Sequence, residues 1–218
     1  MRGGPPGGRL VAVSEPVHRR PGRGPAVGAV LAGGLGSRLG GAKATLELAG
    51  RPLISYPLAA VERAGLEPLV VAKRDSDLPP LGCTVLREPD LPRHPLCGIV
   101  AALVHAGPRP LVAIGCDMPF ATAALLAWLA SIPEPLAVPV VGGEPQPLLA
   151  RYDGSLLPAL EAALAREEPL RRTIESLRPM AIPEADLARF GEPRRLCLNV
   201  NTRAEAERAE RLLDPARR

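Results

Sequence analysis

The sequence predicts an α/β fold, a mostly parallel sheet covered by helices on both faces, with a small antiparallel part. Three observations predict it. Short runs that are apolar at every position recur along the chain, amphipathic segments alternate with them, and breakers such as Gly107-Pro108 separate the two. A strand with no polar face must be buried on both sides, and helices packed above and below a parallel sheet provide that burial.

Taken in order, Ala26 to Ala32 reads as a buried strand running into a Gly-rich loop. Leu53 to Ala64 reads as a helix, with Pro57 tolerable only near its first turn. Leu69 to Ala72 is a second strand and Thr84 to Leu86 a short third. Cys97 to Ala106 has helical period and stops at Gly107-Pro108. Leu111 to Gly115 is the next strand, ending at Cys116-Asp117, and a helix follows from Thr122 to Ala130. Beyond it, Val138–Val141 and Leu148–Tyr152 flank Gly142-Gly143-Glu144-Pro145 as an antiparallel ribbon. Helices are expected over Ser155–Arg166 and Leu170–Leu177, a late strand over Leu196–Val200, and a closing helix over Ala204–Leu213. This reading gives one domain from about residue 26 to residue 214 of the 218.

Composition narrows the function classes. With 46% hydrophobic but only 2% aromatic residues, the core must be built from Leu, Val, Ala and Ile. Residues 1–25 hold five Arg against one acid, so the formal charge of +4 resides there and the rest balances at 22 basic and 22 acidic residues. That distribution argues against a nucleic-acid surface on the domain. The same stretch carries six Gly and five Pro and is expected to be a disordered leader. No apolar run approaches the ~18 residues that span a bilayer. Four dispersed cysteines without a C-x-x-C pair fit buried thiols in a reducing cytosol, hence a cytoplasmic protein.

The most informative segment is Leu31-Ala32-Gly33-Gly34-Leu35-Gly36-Ser37-Arg38-Leu39-Gly40-Gly41-Ala42-Lys43. Five glycines in nine positions, directly after a strand, let backbone N–H groups approach an anion. Arg38 adds a forked donor suited to phosphate oxygens, and Lys43 a point charge. The chain uses 25 Arg and only two Lys, so a lysine at 43 goes against its habit. A P-loop is excluded, because Ala42 separates Gly41 from Lys43 and Ala44 follows. A dinucleotide fingerprint begun at Gly34 and Gly36 would need Gly or Ala at Leu39.

The strand Leu111–Gly115 delivers Cys116-Asp117-Met118-Pro119 to the sheet edge where open α/β folds bind ligands. A carboxylate there can hold Mg²⁺ against phosphate oxygens or can cap the following helix; the spacing admits both. Asn199 and Asn201, on alternate residues of the expected late strand, would share one face, although Asn-x-Asn is also ordinary turn composition.

These blocks together resemble the nucleotidyltransferase signature L-A-G-G-x-x-x-R-x-G-x-x-K, in particular that of the molybdenum cofactor guanylyltransferases. The likeness continues from Lys43-Ala44 to Pro52-Leu53-Ile54, through Cys116-Asp117-Met118-Pro119, and at Asn199-Val200-Asn201-Thr202. It implies a Rossmann-like three-layer αβα nucleotidyltransferase fold. It also implies that Leu31, Ala32, Gly33, Gly34, Lys43, Glu88 and Asp117 bind the nucleotide, with Arg38 and Lys43 on the phosphates. Asp117 would be the Mg²⁺ ligand, and Asn199 and Asn201 would face the acceptor. Glu88 matches the family's nucleotide-side acid, with Asp90 nearly as close.

The chain departs from the pattern in several places. Arg203 replaces a usual Pro, with Glu205 near the usual acids. In Arg93-His94-Pro95-Leu96-Cys97-Gly98-Ile99, His94 and Cys97 replace a Gly and an Ala. Val71, Ala72 and Lys73 stand where Asn is frequent. Gln146-Pro147-Leu148 resembles a block expected on the acceptor side.

The implied reaction is transfer of GMP from GTP to the terminal phosphate of molybdopterin cofactor, with release of pyrophosphate and no general base. Transient contacts with molybdoenzymes or cofactor-biosynthesis proteins go with it. A cytidylyltransferase for the same cofactor usually has A-A-G where this chain has Ala32-Gly33-Gly34. A transferase for another phosphorylated acceptor would share these motifs, and so, less readily, would a nucleotide sensor without turnover. All of this requires the glycine loop and Asp117 to converge on one hollow.

Overall fold

The computed structural model describes residues 24–33 and 43–213. The expected leader therefore lies outside the described residues except for Gly24 and Pro25. In chain order the elements are β1 (Val27–Leu31), β2 (Glu47–Leu48), β3 (Arg51–Pro52), α1 (Ser55–Arg63), β4 (Glu67–Lys73), β5 (Thr84–Glu88), α2 (Pro95–Ala106), β6 (Leu111–Gly115), α3 (Ala123–Ser131), β7 (Leu136–Val141), β8 (Glu144–Pro145), β9 (Leu149–Tyr152), α4 (Leu157–Ala165), α5 (Leu170–Ser176), β10 (Met180–Ile182), α6 (Glu184–Leu187), α7 (Pro193–Leu196) and α8 (Arg203–Leu213).

The main sheet runs β10-β7-β9-β6-β1-β4-β5, with β8 beside β7. β1 pairs in parallel with both β4 and β6, β4 with β5, and β10 with β7. β9 is antiparallel to β6 and to β7, which supplies the small antiparallel part. The expected ribbon is present in modified form. β7 and β8 make its tight turn through Gly142 and Gly143, both at positive φ, and β9 inserts between β7 and β6.

Strand period two explains the layering. Val30, Val112 and Ile114 face Leu58 and Val61 of α1 and Leu125, Leu126 and Leu129 of α3. Val27, Ala29, Leu111 and Ala113 face Leu96, Ile99 and Leu103 of α2, Leu160 of α4 and Ile174 of α5. The fully apolar strands thus divide one continuous sheet between two cores. Gly28 sits where a Cβ would collide with Val61, so α1 packs directly on the backbone of β1. A third cluster, built on Leu48, Leu53, Phe120, Val200 and Ala209, ties the β2–β3 hairpin to α8.

One element departs from expectation. The sequence predicts a strand over Leu196–Val200, but the structure has none there. Glu192 accepts hydrogen bonds from the N–H groups of Arg194 and Arg195, and Pro193 opens α7. This cap and proline together start a helical turn that runs through Leu196. Residues 198–201 then run as irregular chain, docked by a bond from Val200 N–H to the Asp117 carbonyl at 2.9 Å. No helix among the described residues is long and apolar enough to cross a membrane.

Candidate active site

The carboxyl ends of β1, β4, β5 and β6 open onto a cavity of about 280 Å³. Its wall includes Gly33 after β1, Lys73 at the end of β4, Glu88 at the end of β5, and Gly115, Cys116 and Asp117 at the end of β6. The remaining side is the start of α2. His94 caps that helix, its Nδ1 accepting from Leu96 N–H at 3.2 Å, and Pro95 occupies the first helical position. Gly98 lets this helix approach β1, since a Cβ there would come within 3.2 Å of the Leu31 side chain.

Backbone bonds hold the strand tips in register at this edge. Ala32 N–H donates to the Val71 carbonyl at 2.8 Å, and Cys116 N–H to the Leu31 carbonyl at 3.1 Å. The helical turn Lys43–Thr45 is tied to the chain before α1 by a bond from Ile54 N–H to the Ala44 carbonyl. From it the Lys43 ammonium reaches Asp117 Oδ2 at 2.5 Å and also the Asn201 side-chain oxygen. Asp117 is therefore not the cap of α3. Thr122 takes that role, its hydroxyl accepting from Leu125 N–H at 3.3 Å.

Residues far apart in the chain thus meet at one corner, with Lys43, Asp117 and Gly33 lining the same hollow. Leu31 lines it too, and Ala32 is buried beside it. Gly34 and Arg38 lie outside the described residues. Among the described residues the hydrogen bond of the Asn199 side chain is not to Lys43 or Asp117: its amide donates to the Cys197 carbonyl at 3.4 Å. The expectation that it shares a face with Asn201 rested on the late strand, which is not formed. Asn201 is instead fixed through its backbone, whose N–H donates to Glu205 at 2.7 Å, while Glu205 N–H donates to Thr202 Oγ1. Glu205 therefore acts at the start of α8 in the manner of a capping box. Leu148 lines the cavity, whereas Gln146 turns back to the Glu144 carbonyl.

Of the two candidate nucleotide-side acids, Glu88, at the end of β5, enters the cavity. Asp90 instead accepts from Asp75 N–H at an exposed site. Glu88 lies 3.3 Å from the Lys73 ammonium, which also donates to the Pro92 carbonyl at 2.8 Å. Burial pushes the Glu88 carboxyl up from its ordinary value, and Lys73 opposes that rise. Sequence reasoning treated Lys73 only as a departure from a pattern. Its rarity was the available signal, because the chain's two lysines both line this one cavity. Cys116 is buried beside Asp117, and its thiol is pushed up to about 12 by that burial and then by the neighbouring carboxylate. It is a neutral packing group and not a nucleophile.

A doubly covered, mostly parallel sheet with a lysine and a carboxylate converging beyond its strand tips defines the ligand site of an open α/β protein, with charge suited to a polyanion and its cation. The MobA-like NTP transferase domain model matches residues 28–181. A Cereibacter sphaeroides protein named molybdenum cofactor guanylyltransferase is 34% identical, covering 85% of this chain and 96% of its own length. The crystal structure of molybdopterin-guanine dinucleotide biosynthesis protein A from Archaeoglobus fulgidus superposes with a TM-score of 0.73 at 25% identity, covering 86% of this chain and 98% of its own. In fold alone, the 2-C-methyl-D-erythritol 4-phosphate cytidylyltransferase of Thermus thermophilus is also similar, with a TM-score of 0.64 at 20% identity, covering 86% of this chain and 98% of its own. The chain belongs to the MobA-like NTP transferase family and is a nucleotidyltransferase.

Proposed function

We propose that this protein transfers GMP from GTP to the terminal phosphate of molybdopterin cofactor. A phosphate oxygen of the acceptor attacks the α-phosphorus of GTP. A new P–O bond forms there as the bond to the α–β bridging oxygen breaks, and pyrophosphate leaves with that electron pair. The acceptor phosphate is already anionic at neutral pH, so no general base is required. In keeping with this, His94 is engaged as a helix cap and His105 lies 3.0 Å from Glu67, away from the cavity wall.

The observation that carries the reading is the meeting of Lys43, Asp117 and Asn201 at one end of a cavity beyond the strand tips. Lys43 would neutralise and orient the polyphosphate, and Arg38 is assigned the same task on its motif position. Asn201 holds Lys43 and would stand nearest the acceptor. The donor set fits Mg²⁺. Among the described residues no group of three or more candidate metal ligands occurs, and a single hard carboxylate completed by substrate oxygens and water is how Mg²⁺ is commonly held. Asp117 would hold that ion, which when bound supplies charge neutralisation along the triphosphate. Cytoplasmic residence, and transient contact with the proteins that use the product, belong to the same reading.

The test is pyrophosphate release with each of the four NTPs, with and without molybdopterin. GTP together with the pterin should be the productive pair, and preference for CTP would overturn the base assignment. Asp117→Asn and Lys43→Ala should each reduce turnover by roughly 100-fold or more while leaving the fold intact, as expected for charged groups acting on the transition state.

A further inference from the structure

The Lys73–Glu88 pair has no ready explanation in stability. Both groups are withdrawn from water, with Lys73 only 2% exposed, and ion pairs placed this way commonly contribute less than an apolar pair of similar volume. The pair is also placed with care. Lys73 and Glu88 are register partners on β4 and β5, so their side chains leave the sheet at the same level and on the same side. Gly33 presses against them, and a Cβ there would come within 3.3 Å of Glu88 Oε1. Among the described residues, Lys73 is the one partner of the Glu88 carboxylate, and the Pro92 carbonyl anchors the lysine from behind.

A carboxylate in a polyphosphate site would repel the phosphates. It must therefore face a part of the substrate that offers hydrogen-bond donors. The cationic corner of Lys43 lies at the β6 side of the cavity, whereas Glu88 lies on β5, at the other edge of the parallel strands. On the proposed reading of GTP as substrate, donors at the Glu88 side are the guanine N1–H and N2 amino group taken together or the ribose 2′-hydroxyl.

We infer that Lys73 is a positioning residue for nucleoside recognition, fixing the Glu88 carboxylate as an anionic acceptor that receives N–H or O–H groups of the bound nucleoside. Lys73 lines the cavity, but its ammonium is bound to the Pro92 carbonyl and paired with Glu88. It acts through Glu88, by holding the rotamer and by opposing the rise that burial imposes on the carboxyl. The charged and titratable groups facing Glu88 are Lys73 from β4, Arg93 and His94 ahead of α2, and Lys43 and Asp117 across the cavity. Arg93 is committed to Asp75, so Lys73 is the cation that sets the charge of Glu88.

The experiment is calorimetric binding of GTP, 2′-deoxy-GTP and ITP to the full chain, wild type against Lys73→Met, Glu88→Gln and the double variant, from pH 5.5 to pH 8.5. Wild type should discriminate against ITP, 2′-deoxy-GTP or both, and which one it disfavours identifies the base edge or the ribose as the donor. Lys73→Met should weaken GTP binding by roughly tenfold, as loss of a charge-assisted contact does, and erase that discrimination. Its affinity should also fall more steeply on acidification than that of wild type, because without Lys73 nothing opposes the rise that burial imposes on the Glu88 carboxyl. The double variant should bind no worse than Glu88→Gln alone, because the lysine has no work left once the carboxylate is gone. It also removes both charges together, and so keeps the test usable if Lys73→Met fails to fold. Three results would each overturn the inference: GTP binding by Lys73→Met within about twofold of wild type, losses that add in the double variant, or equal wild-type affinity for all three nucleotides. Failure of wild type to bind any nucleotide would instead overturn the proposed function.

Discussion

Gly115→Ala puts a methyl group where the Asp117 carboxylate now sits. The new Cβ would overlap Asp117 Oδ1 and touch Met118 Cγ at 3.4 Å. Gly115 ends a β-strand in register with Leu31, so alanine suits its backbone and the sheet need not change. The strain falls on the carboxylate, which must turn away from Lys43. A hydrogen bond between charged groups contributes about 1.5–3 kcal/mol. At ~1.4 kcal/mol per tenfold, losing it corresponds to a fall of roughly 10- to 150-fold in kcat/KM. Overpacking costs about 1–3 kcal/mol, offset by about 0.4–1 kcal/mol from the stiffer unfolded chain, so the melting temperature should drop only modestly. Pyrophosphate release measured beside a thermal melt separates the two effects. A variant with kcat/KM within about twofold of wild type would refute the placement of Asp117 as the group on which transfer depends.

Gly28→Ala is the complementary case, since its Cβ would run into Val61 far from the cavity. It should lose about 1–3 kcal/mol in urea melts while turnover per folded molecule stays unchanged. Hydrogen bonds from Arg109, then His105, hold the Glu67 carboxyl below its ordinary 4.5. Its contribution to stability is therefore complete above pH 4.5 and is lost as pH falls through the depressed folded value, so Glu67→Gln should flatten the acid limb of a stability-against-pH curve. Burial pushes the thiols of Cys116 and Cys197 up to about 12, Cys197 with added repulsion from Glu184 and Glu192. Mass spectrometry after brief iodoacetamide treatment at pH 8 should find label on the half-buried Cys83 and Cys97 first, and on all four only after unfolding.

The sheet was legible because its central strands β1 and β6 are apolar at every position, a pattern that leaves them no exposed face to occupy. The elements that escaped are those whose pairing is decided by neighbours. Met180–Ile182 is three residues between prolines, and only β7 makes it a strand. Glu47–Leu48 and Arg51–Pro52 form a two-residue pair around Ala49 and Gly50, both at positive φ. Leu196–Val200 has strand composition, but Glu192 and Pro193 start a helix just ahead of it. In the site, Lys43 and Asp117 stood out by motif and by strand-tip position. Lys73 did not, because its importance lies in burial and in a register match to Glu88 that no local pattern displays. Arg38 and Gly34 retain only their motif positions.

The docking of residues 200 and 201 makes the corner depend on chain that lies beyond the sheet. Every strand of the main sheet is complete by Ile182, yet the corner that holds Lys43 closes only when Asn201 arrives and Val200 bonds the Asp117 carbonyl. A chain clipped ahead of Arg195 would keep every strand of the main sheet but lose this latch, together with Val200 and Ala209 of the third cluster. On the proposed function such a chain would be inactive, because Lys43 would lose the Asn201 oxygen that helps to hold it.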